Sequence, residues 1–270
     1  MRLKMLALSC IIATFASGSV CANAAPPAPH INPNLPTLFL IGDSTMRNHT
    51  PRDEGYGTVI HEYFNLDKIN VVNRALGGRS SRSYYTEGLW AKVRAMLKPG
   101  DFVLMQFGHN DGGPIQHGTG RASIKGIGNQ TVTIFHQKTG KSEVVHTYGW
   151  YLRKYVDDTE KAGAIAIIAS PIPRDMWHGT HVNRNNHDYG LWSKEVAASQ
   201  HAYFIDLNKI VAGWYDMLGP IMVKHLFPID HTHTSPTGAI INADAVVQGL
   251  RKLTECPLRK YLKTEVGPDI

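Results

Sequence analysis

The chain reads as an α/β protein built on a five-stranded parallel sheet with helices on both faces. Three observations predict this: five apolar runs of strand length, hydrophobicity that is continuous within them rather than alternating, and helical patterns in the gaps between them. A strand covered on both faces needs a continuous apolar run. Strict strand–helix alternation then leaves parallel pairing as the solution with short connections.

Taken in order, the chain opens Met1-Arg2-Leu3-Lys4, stays apolar as far as Val20 and then reaches Ala22-Asn23-Ala24. A basic start, a short apolar stretch and an A-x-A site predict a cleavable secretory signal over 1–24 and a secreted or periplasmic destination. The apolar run is too short for a confident membrane span, so no membrane association is expected after cleavage. A proline-rich extended lead over 25–36 follows. The expected strands are Thr37–Ile41, Ile69–Asn73, Phe102–Phe107, Ala164–Ala169 and Ala202–Leu207.

Between the strands, Leu89, Trp90, Val93, Met96 and Leu97 share a helical face, as do Leu152, Tyr155, Val156 and Thr159. The same spacing links Leu207, Ile210, Val211, Trp214, Tyr215 and Leu218. These stripes predict core-facing helices. Ser235-Pro236 announces a last helix, with an N-cap followed by proline at the first helical position, and its buried face would carry Ile240, Ala243, Val247 and Leu250. One stretch breaks the rhythm. From Gly112 to His146 the chain is rich in Gly, Thr and Lys, with β-like pieces at Thr131–His136 and Glu143–His146. It is expected to be a β-hairpin insertion, at 112–146, over the edge of the sheet where α/β proteins bind ligands. One domain over 37–270 is expected.

Composition narrows the class. Of three cysteines, Cys10 and Cys21 would leave with the signal, so Cys256 has no partner and the core must carry stability without a disulfide. The formal net charge of +6 is not gathered into runs, so no nucleic-acid footprint is expected and an acidic partner is not argued from charge alone.

Four separated segments carry the chemistry: Gly42-Asp43-Ser44-Thr45, Gly77-Gly78-Arg79-Ser80, Gly108-His109-Asn110-Asp111 and Asp230-His231-Thr232-His233. Acyl transfer needs a nucleophile, a base, a group that orients the base, and donors where the carbonyl oxygen gains charge. Ser44 follows the first strand directly and is expected to open a helix, leaving its backbone N–H free. Taken alone, Gly-Asp-Ser is better read as a turn with a helix cap. Met46 stands where a nucleophile elbow needs its second glycine, which argues against the ordinary α/β-hydrolase fold. Glycine after the second strand lets the backbone present an N–H, and the Asn110 amide can supply another donor. In Asp-x-x-His the carboxylate can reach Nδ1 of His233 and leave Nε2 for Ser44; His231 is the alternative base, and a metal site is the competing reading.

Together these segments resemble the SGNH (GDSL) hydrolase superfamily. The longer strings Gly78-Arg79-Ser80-Ser81-Arg82-Ser83-Tyr84 and Phe227-Pro228-Ile229-Asp230-His231-Thr232-His233 resemble its rhamnogalacturonan acetylesterase family. So do His146-Thr147-Tyr148-Gly149-Trp150 and Pro171-Ile172-Pro173-Arg174-Asp175 for the bacterial branch. The resemblance implies a three-layer, flavodoxin-like fold with strand order 2-1-3-4-5. It implies Ser44, Asp230 and His233 as the catalytic triad, and an oxyanion hole made by the Ser44 N–H, the Gly78 N–H and the Asn110 amide. It further implies removal of acetyl groups from a polysaccharide, rhamnogalacturonan first and xylan as an alternative, with no metal and no cofactor.

Arg79, Arg82 and Arg174 are candidates to pair with galacturonate carboxylates, against internal salt bridges as the other reading. Trp177 is a candidate to stack on a sugar ring. His178, His181 and His187 lie in one loop, without the convergence that zinc ligation needs. The rivals are a lipase or thioesterase of the same superfamily, a glycosidase using Asp43, Asp111 or Asp230, and a non-catalytic sugar-binding protein. A monomer is expected.

Overall fold

A computed structural model describes residues 31–264, apart from 49, 118–119 and 137–139. The expected signal over 1–24, with Cys10 and Cys21, lies outside the described residues, as does the first half of the lead over 25–36.

Five parallel strands form the main sheet: β1 (Thr37–Gly42), β2 (Asn70–Asn73), β3 (Phe102–Gln106), and later in the chain β6 (Ile165–Ala169) and β9 (Tyr203–Ile205). Between β3 and β6 run β4 (Thr131–His136) and β5 (Lys141–His146), an antiparallel pair. After β6 come the two-residue strands β7 (Trp177–His178) and β8 (His181–Val182). The main sheet has the order β2-β1-β3-β6-β9, which is 2-1-3-4-5 among its own members and agrees with the expected topology. The central strands β1 and β3 are buried at every position.

Period-two geometry divides those strands between two cores. Leu38, Leu40, Phe102 and Leu104 point to one side, where they meet α5 (Leu207–Lys224) and α6 (Pro236–Lys252). Phe39, Ile41, Val103 and Met105 point to the other. There they meet α1 (Ser81–Thr86), α2 (Leu89–Arg94), α3 (Tyr148–Lys161) and α4 (Tyr189–Ser199). Trp90, Tyr84, Phe107 and Tyr155 interlock on this second side, with the Phe107 and Tyr155 rings stacked at 5.5 Å.

Several local expectations change on folding. No helix opens at Ser44; a single turn does, closed by Arg47 N–H on the Asp43 carbonyl at 3.1 Å. A helix cannot propagate there because Tyr56 N–H and Gly57 N–H take the Thr45 and Met46 carbonyls at 3.1 and 2.9 Å. The 89–97 pattern is helical only to Arg94. The last strand begins at Tyr203 and ends at Ile205, since Asp206 caps α5 through the Lys209 N–H. On α6, Ile240 is half-buried, and Ala239 and Val246 complete the face that Ala243, Val247 and Leu250 present. Gly219, at φ 76°, and Pro220 interrupt α5.

Candidate active site

The loops that leave the C-terminal ends of β1, β2 and β3 meet the loop before α6 at one place. Ser44 is 8% exposed, and its Oγ lies 2.8 Å from His233 Nε2. Nδ1 of the same ring lies 2.7 Å from Asp230 Oδ2. The other Asp230 oxygen accepts the backbone N–H groups of Thr232 and His233 at 2.7 and 2.8 Å. A four-residue turn therefore uses one carboxylate oxygen to hold its backbone and the other to hold its imidazole. Burial works to raise the Asp230 pKa, but those N–H groups and the His233 ring outweigh it and keep the carboxyl below its ordinary value.

The turn is fixed on both sides. Glu54 N–H donates to the Thr234 carbonyl at 2.7 Å, and Ser235 caps α6 through the Gly238 N–H at 3.3 Å. His231, the alternative base, is exposed and gives its carbonyl to Asp175 N–H at 2.8 Å. Its ring makes no hydrogen bond among the described residues, whereas the His233 ring bridges Asp230 and Ser44.

Asp43 is buried, and its Oδ1 accepts the Thr45 N–H and hydroxyl at 2.9 and 2.8 Å. Gln106 at the end of β3 donates to the Thr45 hydroxyl at 2.6 Å, so the serine turn is locked to the neighbouring strand. Asp111 is likewise buried; Oδ1 accepts the Ser81 and Ser123 hydroxyls at 2.5 and 2.9 Å. Burial pushes its pKa up to about 6 in spite of those bonds. Asp43 and Asp111 are both fully buried and hold neighbouring N–H and hydroxyl groups, so neither is placed to act on a sugar as a glycosidase carboxylate.

The donor side is equally organised. Gly78 has φ +77°, a left-handed conformation that favours glycine. Among the described residues, the N–H groups of Ser44, Gly77 and Gly78 make no hydrogen bond. Asn110 spends one amide N–H on the Arg79 carbonyl at 3.0 Å and keeps the second. Its neighbour His109 is held neutral, because burial depresses its pKa to about 4.

The arginines sort differently from one another. Arg79 Nη2 pairs with Glu87 at 2.9 Å and its Nη1 donates to the Gly77 carbonyl at 3.0 Å. Arg82 is buried in a two-bond pair with Glu143 of β5, each bond 2.8 Å. The internal reading is the one both display. Arg174 is half-buried and donates to the His109 carbonyl at 3.1 Å. Trp177 donates to Asp175 at 2.8 Å and borders a surface groove shared with Pro220, Ile221 and Lys224 of α5. His181 pairs with Asp216 of α5 at 2.9 Å, while His178 and His187 are exposed.

Three residues have contacts in the site that the sequence does not show. Arg121, in the insertion, donates to the Gly78 carbonyl at 2.8 Å. Asp53 lies within the field of both His233 and Asp230, and burial raises its pKa. His109 belongs to a motif whose visible member was Asn110. In each case a distant segment makes the contact.

A family model described as GDSL-like lipase/acylhydrolase matches residues 40–239. The chain is 33% identical to the rhamnogalacturonan acetylesterase of Emericella nidulans, over 79% of this chain and 84% of that one. It is 26% identical to the probable rhamnogalacturonan acetylesterase YesY of Bacillus subtilis, over 80% of this chain and 93% of that one. The crystal structure of the protein YxiM from Bacillus subtilis matches with a TM-score of 0.66 at 22% identity, covering 82% of this chain and 58% of that one. The matched family segment takes in all four motif loops, and the chain accordingly belongs to the GDSL-like lipase/acylhydrolase family and is a carboxylic-ester hydrolase.

Proposed function

We propose that this is an exported acetylesterase acting on acetylated rhamnogalacturonan through an acetyl-enzyme on Ser44. The observation that carries the reading is the 2.8 Å approach of His233 Nε2 to Ser44 Oγ, with Nδ1 held by Asp230. In this tautomer Nδ1–H donates to Asp230 and Nε2 is free to take the Ser44 proton. As the Ser44 oxygen bonds to the acetyl carbon, the carbonyl oxygen becomes an oxyanion. The Ser44 N–H, the Gly78 N–H and the free N–H of Asn110 are its donors. The C–O bond to the sugar then breaks, and the sugar oxygen leaves with the proton from His233. Water attacks the acetyl-enzyme with His233 again as base, acetate departs, and Ser44 recovers its proton. Asp230 keeps the imidazole in place and stabilises its charged form.

A pectic substrate draws support from the 33% identical relative, whose name states that activity, and from half-buried Arg121 and Arg174 beside the motif loops. Export rests on the residues of 1–24. The experiment is acetate release from acetylated rhamnogalacturonan and acetylated xylan by the parent chain and by Ser44→Ala. Release from the pectic polymer at the higher kcat/KM, abolished in Ser44→Ala, is the expected result. Faster release from xylan would move the substrate, and an active alanine variant would remove the nucleophile. Octanoyl hydrolysed faster than acetyl nitrophenyl ester would point instead to a lipase.

A further inference from the structure

The Gly77–Arg79 loop turns every carbonyl it has toward protein donors. Leu76 O accepts Arg79 N–H at 3.3 Å, and Gly77 O accepts Arg79 Nη1 at 3.0 Å. Gly78 O accepts Arg121 Nη1 at 2.8 Å, and Arg79 O accepts the Asn110 amide at 3.0 Å. The C=O and N–H of a trans peptide point opposite ways. A carbonyl tied down on one side therefore fixes the direction of the N–H on the other. The peptide that supplies the Gly78 N–H is the one whose carbonyl, on Gly77, is held by Arg79. Glu87 in turn holds Arg79, at 3.0 Å from Nε and 2.9 Å from Nη2.

We propose that Arg79 is a positioning residue for the oxyanion donor: its guanidinium, bonded to the Gly77 carbonyl, aims and polarises the Gly78 N–H. This rests on the assignment of Ser44 and Gly78 made above. A charge-assisted bond on a peptide carbonyl draws electrons from the N–H and makes it a better donor, and hydrogen bonds in a chain reinforce one another. The gain appears only when the oxyanion forms, so it belongs to kcat and not to substrate binding. A guanidinium occupied by Glu87 and Gly77 has little left to offer a galacturonate carboxylate. Arg121 does for the next carbonyl what Arg79 does for Gly77, and so brings the insertion into the donor site.

The test is Arg79→Met in the full chain, assayed on nitrophenyl acetate, which carries no carboxylate for an arginine to read. The expected result is a kcat lowered by about 10- to 100-fold, a fraction of what losing a whole oxyanion donor costs, with KM within about twofold. The inhibition constant of methylboronic acid, whose tetrahedral Ser44 adduct places an oxygen in the hole, should rise by the same factor as kcat/KM falls. Thermal midpoints should barely move, because an exposed ion pair of this kind contributes little. Arg79→Lys, which keeps a cation near Gly77, should recover part of the loss. Should Arg79→Met not fold, Glu87→Gln loosens the guanidinium without removing it and should lower kcat several-fold. Unchanged kcat and boronate affinity in the folded variants, or a loss confined to KM, would overturn the proposal. Ser44→Ala assayed alongside separates the two layers. If it still turns over, the nucleophile is misassigned; if it is dead while the Arg79 variants match the parent, only the role of Arg79 falls.

Discussion

The two halves of the site are built on opposite plans. The Asp230–His233 turn is largely self-contained: both Asp230 carboxylate oxygens are satisfied within four residues, and its long-range bonds are the reach to Ser44 and the His231 carbonyl taken by Asp175 N–H. The Gly77–Ser81 loop instead depends on remote support. Its carbonyls go to Arg121 and Asn110 as well as to Arg79, and its Ser81 is held by Asp111. One half is a short-range pattern that any chain with that spacing can form. The other needs the whole sheet edge and the insertion to be assembled first. Damage to the first half should therefore appear as lost chemistry in an intact fold, and damage to the remote supports of the second as lost stability or altered pH response, the Arg79 contact within the loop excepted.

The largest effect should come from the self-contained half. Asp230→Asn keeps an oxygen for the Thr232 and His233 N–H groups but no longer enforces the tautomer, so kcat should fall by about 10³- to 10⁴-fold. Steady-state kinetics and a thermal melt on the same sample check it. A variant that melts early would mean that the turn is less self-sufficient than its bonds indicate.

Next comes the buried Arg82–Glu143 pair, which joins α1 to the insertion and whose Nη1 also donates to the Ala122 carbonyl at 2.8 Å. Arg82→Met should cost about 3 kcal/mol in denaturant unfolding, and Arg82→Met/Glu143→Leu should regain part of it. A loss under about 1 kcal/mol in the single variant would show that the insertion is not part of the loop's support.

His109 and Asp111 flank Asn110 and titrate with opposite sign. His109 has a folded pKa near 4 against an ordinary 6.5, so the unfolded chain binds the extra proton between those values. Its contribution is lost as pH falls from about 6.5 toward 4. Asp111 has a folded pKa near 6 against 3.8, so the folded state binds the extra proton and stability is lost as pH rises through that window. The two largely offset each other between about pH 4 and 6. His109→Gln removes one side, and relative to the parent it should gain stability on acidification, by at most about 1.4 kcal/mol per pH unit. Unfolding curves at pH 4, 5 and 6 read this directly. A constant difference between the two proteins would mean that His109 is not buried neutral.

The smallest effect belongs to the cap. Ser80 starts α1 by accepting the Ser83 N–H, in a reciprocal capping box. Ser80→Ala should cost about 1 kcal/mol by denaturant unfolding, with kcat reduced only through loosening of the neighbouring Gly78.

Legibility in the sequence follows the same division. The five core strands were readable because each is an apolar run whose signal lies inside itself, and their order came from the resemblance. The turn at Ser44 reads as a helix start in the sequence because the donors that stop it, Tyr56 and Gly57, come from a later segment. The three arginines looked alike in the chain, yet they ended with different partners: Glu87, Glu143 and the His109 carbonyl.

The sequence by itself determined the sheet, the residue types of the four motif loops and the spacing that lets Asp230 hold His233. These are short-range properties, set by side-chain period and by the reach of a carboxylate across one turn. Only the tertiary structure decided that His233 rather than His231 meets Ser44, that Asp43 and Asp111 are fasteners, and that Arg79 and Arg121 hold the glycine loop. Those outcomes depend on which distant groups come within about 3 Å, a distance at which burial and direction set what a polar group can do.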